Sequence, residues 1–375
     1  MQLVALVQTN HGIWCHQFHP TNNDNFPKKD RSGKTMYRIP LSENLFTSQN
    51  QIIAQSEHFT ITAFAYPQNI ASLKVQNSRG FVEILPFMGQ ILWDAQFDGH
   101  SLRMDNLFSR PQRGSEIIDT YGCFSFHSGL LTGGCPAPED THPLHGEFPC
   151  APMDKAWLEI DENSVRVVSE YEYVRGFGHH YLAIPSVTLR ANRPRFDIGM
   201  KVKNLSAYQA MPLLYMCHMN YAYVEQGVMR QNIPDNAFQL RRTVPAHVKP
   251  TPAWQAFNDE ILSGKVDGSV LNRPDCYDPE IVYFADNLAQ YGEDLEFELH
   301  NPATNTTFST RFSSAEFPHA TRWILNNPDQ KVAAFVLPAT ARPEGYLAAE
   351  KAGTVQWLQP NEEKSFTVNT GIKDA

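Results

Sequence analysis

Histidine is the side chain whose ordinary pKa lets it exchange protons near neutral pH, and the 375-residue chain carries 14 of them. Five have informative surroundings. His142 and His145 lie in a stretch rich in glycine and proline, LLTGGCPAPEDTHPLHGEFPCAP, and His179 and His180 are adjacent. His218 comes late in the apolar run PLLYMCHMNYAYV and is followed by aromatic residues, among them Tyr221. A strand leaving the core at His218 would offer its imidazole to a cleft. Aromatic neighbours there suit the C–H faces of a sugar ring. By spacing alone this signal is weak, and the plain alternative is a satisfied core histidine.

His142, His145 and Glu147 form an H-x-x-H-x-E pattern. In a loop this is either three convergent polar groups or three ligands of a divalent metal completed by His218 or His179. The plain alternative is a solvated, proline-stiffened loop. Glu83, Asp94, Glu147, Glu344 and Glu350 flank apolar segments, and each is a candidate general base. No G-x-S-x-G elbow is present, so a covalent serine nucleophile is not indicated.

The elements that must carry these residues are strands. Period-two alternation of β-branched and aromatic residues marks 59–66, 164–174, 181–190, 195–202, 280–285, 294–300, 306–312, 332–337 and 364–369. Helical spacing is limited to Pro252–Ser263, with Trp254, Phe257 and Ile261 on one side, and to a turn or two over Ser101–Phe108. Loops are expected over Asn22–Gly33, Leu130–Pro152 and Asn232–Pro252. Hydrophobic residues make up 42% and charged residues 19%, so a large core can form. Proline (26) outnumbers glycine (21), which suits many short strands joined by turns. No G-x-G-x-x-G or P-loop follows a strand, which disfavours nucleotide-binding α/β folds. The expected fold is all-β, one large antiparallel β-sandwich over residues 1–375. The first 60 residues are read as an N-terminal extension packed on it.

Charge narrows the partners. The net charge of −9 comes with no basic stripe, so nucleic acid and anionic membrane are poor partners. No segment approaches the roughly 20 apolar residues of a membrane span, and the start lacks a signal-peptide pattern. Six cysteines without a C-x-x-C pair read as reduced thiols. A cytoplasmic monomer or homodimer is expected.

Four segments, taken in order, resemble the aldose 1-epimerase (galactose mutarotase-like) superfamily, in a divergent branch. Val82–Asp94 with Gly99 is similar to an early strand pair. Thr141–Gly146 (THPLHG) is similar to the family's Asn-His-x-Leu-His-Gly loop. Leu214–Val224 (LYMCHMNYAYV) resembles the segment around the family's later histidine. Ala334–Gly345 with Trp357–Glu362 resembles the closing segment. The resemblance covers the chain from about residue 80 onward.

It implies a β-supersandwich with a sugar site and no required cofactor. A histidine would protonate the ring oxygen while a glutamate takes the anomeric proton. His218 is then the general acid. His142, His145, Asp94 and Tyr221 are substrate contacts of a small carbohydrate. At the family's glutamate position, however, the sequence reads Val336-Leu337-Pro338, and leucine cannot accept a proton. Glu147 and Glu344 are the substitute bases, and Thr141 replaces the loop asparagine. Three readings follow: an acid–base sugar isomerase or epimerase, a metal-dependent sugar isomerase using His142, His145, Glu147 and His218, and a carbohydrate-binding protein without catalysis.

Overall fold

The alternation along Arg195–Asn204 is complete. Phe196, Ile198, Met200, Val202 and Asn204 are buried, and the residues between them are partly exposed. One face of such a strand meets a core and the other meets water. The structure, a computed structural model, describes residues 4–9, 12–17, 28–29, 35–244 and 248–374. Among these, two antiparallel sheets form a sandwich, the galactose mutarotase-like all-β architecture.

The smaller sheet orders Val228–Gln231, Asp294–Asn301, Thr306–Ser313, Glu363–Ile372, Arg195–Asn204, His180–Arg190, Ser164–Val174, Lys155–Ile160 and Thr35–Leu41. The larger one runs through Ile281–Ala285, His319–Asn326, Lys331–Ala339, Met211–Met219, Ser125–Leu130, Ile91–Phe97, Gly80–Leu85, Ile70–Gln76, Thr60–Tyr66 and Gln51–Gln55. The strand read over 164–174 has those bounds, and most of the others differ by one to three residues at an end. Thr35–Leu41 and Gln51–Gln55 place part of the first 60 residues inside the two sheets. Most of the loop expected over Asn22–Gly33 lies outside the described residues, as do positions 245–247 of the loop over Asn232–Pro252.

The central strands of the larger sheet depart from alternation. Met211–Met219 and Ser125–Leu130 are buried at every position. Lys331–Ala339 is buried after its first residue. Consecutive burial requires cover on both faces. The smaller sheet covers one: Tyr215 packs on Phe366 with ring centroids 4.9 Å apart, and Phe97 stacks on Phe196 at 5.8 Å. The opposite, outer face is roofed by Tyr121, by the loop that carries His145, and by the helix Tyr346–Ala352, whose Ala349 packs with Leu214.

Two expectations fail for identifiable reasons. Ser101–Phe108 is extended rather than helical, because Leu102 and Met104 alternate into the core while Arg103 and Asp105 bridge to Tyr221 and Lys331. Tyr221 is no substrate contact. It is fully buried between the sheets, and its hydroxyl shares a 2.6 Å hydrogen bond with Thr370. The helix read from Pro252 is present as Pro252–Leu262, capped by the Thr251 hydroxyl, which accepts the Trp254 N–H at 3.2 Å. Cysteines 123, 135, 150, 217 and 276 are free thiols. Among the described residues no helix is long and apolar enough to cross a membrane.

Burial also fixes a charge state. His127 faces the core beside Phe148 and Tyr215, its Nδ1 2.9 Å from the Tyr215 hydroxyl, and burial pushes its pKa down to about 3. The unfolded chain takes up this proton near pH 6.5, so its share of stability is complete above that pH and is lost as pH falls toward 3, at up to about 1.4 kcal/mol per pH unit. Denaturant unfolding measured from pH 7 to 5 should show stability falling, with a shallower slope in His127→Gln. An unchanged slope in that variant would remove His127 from the account.

Candidate active site

His218 projects from the outer face of Met211–Met219. Its ring stacks on that of Phe126, its cross-strand partner, with centroids 4.5 Å apart and planes 15° apart. The rings of His145 and Trp323 stand edge-on to it at 4.8 and 5.8 Å. Nε2 lies 3.2 Å from the Tyr121 hydroxyl. Enclosure leaves His218 3% exposed and drives its pKa well below the ordinary value, with the neighbouring His145 adding to the effect. The imidazole is therefore neutral at pH 7. Burial moves the Tyr121 phenol the other way, well above its ordinary value. Both partners of this hydrogen bond are thus neutral, and which of them donates follows from the imidazole tautomer.

Local backbone structure aims these groups. Tyr121 follows a single tight turn, Ile117–Thr120, anchored by buried Ile117 and Thr120. His145 and Gly146 both take left-handed backbone angles, φ 63° and 84°. At Gly146 a Cβ would come within 2.2 Å of the Thr132 carbonyl oxygen and 2.6 Å of that of Gly129, so only glycine fits. The tight loop is stitched down by the Gly129 N–H donating to the His145 carbonyl at 2.9 Å, and the Phe148 N–H donating to the Gly129 carbonyl at 2.8 Å. The Ser128 hydroxyl then meets His145 Nδ1 at 3.1 Å.

A carboxylate approaches from the far side of Trp323. Glu280 precedes the strand Ile281–Ala285; one of its oxygens accepts from Trp323 Nε1 at 2.8 Å and the other from Arg241 at 2.6 Å. Its backbone carbonyl accepts from Trp254 Nε1 of the helix at 2.6 Å, so the helix buttresses the carboxylate. The charge of Glu280 acts on both Tyr121 and Cys135. Burial pushes the half-buried Cys135 thiol up to about 11, which leaves it protonated. Tyr121, His145, His218, Trp323, Glu280 and Arg241 form one group on the outer face.

Of the residues expected from sequence, His218 and His145 come together here. The others go elsewhere. Glu147 turns toward the smaller sheet, where one oxygen accepts the N–H groups of Leu130 (3.0 Å) and Leu131 (2.9 Å) and the Tyr181 hydroxyl (3.0 Å). His142 donates through Nδ1 to the Pro143 carbonyl at 2.8 Å and accepts the Tyr346 N–H on Nε2 at 3.3 Å, tying the loop to the helix start. Glu344 accepts from the Thr243 hydroxyl at 3.2 Å and faces Arg342. Asp94 pairs with Arg103 at 3.6 Å, next to the buried Glu83. His180 pairs with Glu172 at 2.8 Å on an exposed hairpin. The H-x-x-H-x-E donors thus point three ways instead of forming one cage with His218. No group of three or more metal-ligating side chains converges among the described residues.

The sequence reading missed Tyr121, Trp323, Arg241 and the special place of Glu280. By alternation Glu280 reads as the first residue of a strand, and His319–Asn326 shows no strand pattern. Its alternation is masked because nearly every position is buried. The position expected to hold the family's glutamate is informative. Met216 pairs with Ala339 and Thr321 with Leu337, so Leu337 lies on the strand between those carrying His218 and Trp323.

Comparison with solved structures identifies the class of fold. The chain is similar to a protein of Klebsiella pneumoniae described as a candidate aldose 1-epimerase, with TM-score 0.70, 14% identity, and 91% of each chain covered. A galactose mutarotase-like protein of Clostridium acetobutylicum gives 0.57 at 14% identity, covering 85% of this chain and all of that one. A galactose 1-epimerase of Lactobacillus acidophilus gives 0.50 at 11%, covering 91% and 99%. Residues 69–372 match the family described as a domain of unknown function, DUF4432, and the chain belongs to that family. No curated protein sequence matches the chain.

Replacing Glu147 tests its placement. Glu147→Ala leaves the N–H groups of Leu130 and Leu131 and the Tyr181 hydroxyl without their acceptor, and should destabilise the fold by about 2–4 kcal/mol in denaturant unfolding. Unaltered stability, with loss of whatever activity the protein has, would return Glu147 to the list of bases.

Proposed function

We propose that the chain is a carbohydrate isomerase of the aldose 1-epimerase type, with His218 carrying the proton. The supporting observation is the buried, neutral imidazole of His218, whose Nε2 meets the Tyr121 hydroxyl at 3.2 Å. In ring opening the anomeric O–H loses its proton, the bond from C1 to the ring oxygen breaks, and the ring oxygen gains a proton. The two oxygens share one carbon, so a single imidazole can serve both. His218 Nε2 takes the anomeric proton, and the resulting imidazolium returns it to the ring oxygen. Rotation about C1–C2 and the reverse sequence close the ring on its other face.

The neighbours have roles set by their charge. The Tyr121 phenol stays protonated and donates a hydrogen bond to whichever sugar oxygen carries developing charge. Glu280, fixed by Arg241 and Trp323, is an anionic acceptor for sugar hydroxyls. Trp323 and Phe126 supply apolar ring surface, the usual partner of sugar C–H faces. With leucine at position 337, no carboxylate stands beside His218 on the neighbouring strand, and base catalysis falls to the imidazole. An acid role from the outset would need an imidazolium that burial disfavours.

Exchange spectroscopy by NMR on a panel of aldoses tests the reading. Wild type should accelerate interconversion of anomers of at least one sugar, and His218→Ala should lose roughly 100-fold or more. Sugar binding without any anomer exchange would sink the proposal in favour of a binding protein. The pH profile separates the roles. With a base of depressed pKa, kcat/KM should be level from about pH 6.5 to 9 and fall only in acid. A rate that declined as pH rose through about 6.5 would assign His218 as the acid instead.

A further inference from the structure

Among the described residues five buried side-chain polar atoms lack a hydrogen-bond partner, and two of them stand two positions apart at one strand end. One is His218 Nδ1 and the other is Asn220 Oδ1. His218 is 3% exposed and Asn220 fully buried. An unsatisfied polar atom in such surroundings is costly, so a coincident pair calls for an explanation.

The amide of Asn220 cannot turn over freely. Its Nδ2 lies 3.0 Å from the Cys123 carbonyl, an atom that can only accept, so the nitrogen must face that carbonyl and Oδ1 must face away. The backbone is held as firmly. The Asn220 N–H donates to the Phe124 carbonyl at 2.6 Å, and its carbonyl accepts the Met104 N–H at 2.9 Å. Asn220 also acts on the charge state of the His218 ring, in the direction that favours a proton on it. No hydrogen bond joins the two atoms in the structure, although their residues stand two positions apart at the same strand end.

We propose that Asn220 is the positioning residue of His218: its Oδ1 takes the Nδ1–H, fixes that tautomer, and so keeps the Nε2 lone pair turned toward the Tyr121 hydroxyl. The opposite tautomer would set a lone pair on Nδ1 against the lone pairs of Oδ1. It would also place an N–H against the Tyr121 hydroxyl, whose own proton would then need another acceptor. The titratable groups facing the ring are Tyr121 and His145, with Glu280 beyond Trp323; none of them reaches Nδ1. A histidine's reactive nitrogen is set by what its other nitrogen binds. Loss of such a partner typically costs 10–100-fold in analogous sites.

This inference rests on His218 being the proton carrier, and its test does not depend on activity. Long-range proton–nitrogen NMR on protein labelled with nitrogen-15 in histidine reads the tautomer of His218 directly, with His218→Gln supplying the assignment. Wild type should show the proton on Nδ1. Asn220→Ala should give a mixture of tautomers, and in the anomer-exchange assay a fall in kcat of about 10–100-fold with KM nearly unchanged. Asn220→Asp keeps an acceptor at that point. It should hold the Nδ1–H tautomer, recover most of kcat, and raise the pH at which activity falls in acid.

A wild-type protein with the proton on Nε2 would overturn the inference without any variant having to fold. So would Asn220→Ala that unfolds like wild type and keeps the wild-type tautomer. The expected tautomer in a protein that leaves every sugar's anomers untouched would support the role of Asn220 while removing the isomerase reading.

Discussion

The central strands of the larger sheet are covered on both faces, and most of what distinguishes this protein follows from that double burial. A sandwich needs only its inner faces covered. Here Met211–Met219 and Ser125–Leu130 are also roofed on the outside, so a histidine on their outer face is removed from water. Desolvation then sets the chemistry, because it holds His218 neutral and keeps Tyr121 protonated. An open sheet with the same residues would leave His218 near its ordinary pKa of about 6.5 and roughly a quarter charged at pH 7.

The roof is built from polar groups that do no chemistry in the proposed mechanism. Glu147 gathers two backbone N–H groups and a tyrosine hydroxyl from under the loop. His142 and Asp140 accept the Tyr346 and Leu347 N–H groups at the start of the helix Tyr346–Ala352, which otherwise lacks a side-chain cap of its own. The histidine-rich loop is therefore mainly a fastening. Only His145 turns inward, because the left-handed turn at His145 and Gly146 swings it under Ser128 and against His218.

The carboxylate has moved relative to what the family resemblance implied. Leu337 lies on the strand that pairs with the one carrying His218, while Glu280 approaches from a different strand and is held by indole and guanidinium donors. A leucine there removes a charge that would have raised the pKa of the imidazole. An unpaired carboxylate beside His218 and the neutral state of that ring are incompatible, and the structure has kept the neutral ring.

Alternation and turn residues were enough to read the β-class, the bounds of strands such as Ser164–Val174, and the helix from Pro252, because these depend on which side of a strand or helix meets the core. His218 and His145, singled out by their place beside apolar and glycine-bearing segments, do lie against each other in the structure. Position on the strand could not tell Tyr221 from a cleft residue, since a buried hydroxyl and an exposed one look alike until the opposing sheet supplies Thr370. Nor could it assemble Tyr121, Glu280, Arg241 and Trp323 around His218, or send Glu147 and His142 away from it. Those residues lie up to some two hundred positions apart in the sequence, and only the pairing of non-neighbouring strands brings them within a few ångströms. The residue types are written in the chain; their directions, and hence their charges and tautomers, are decided by what the folded sheets place against them.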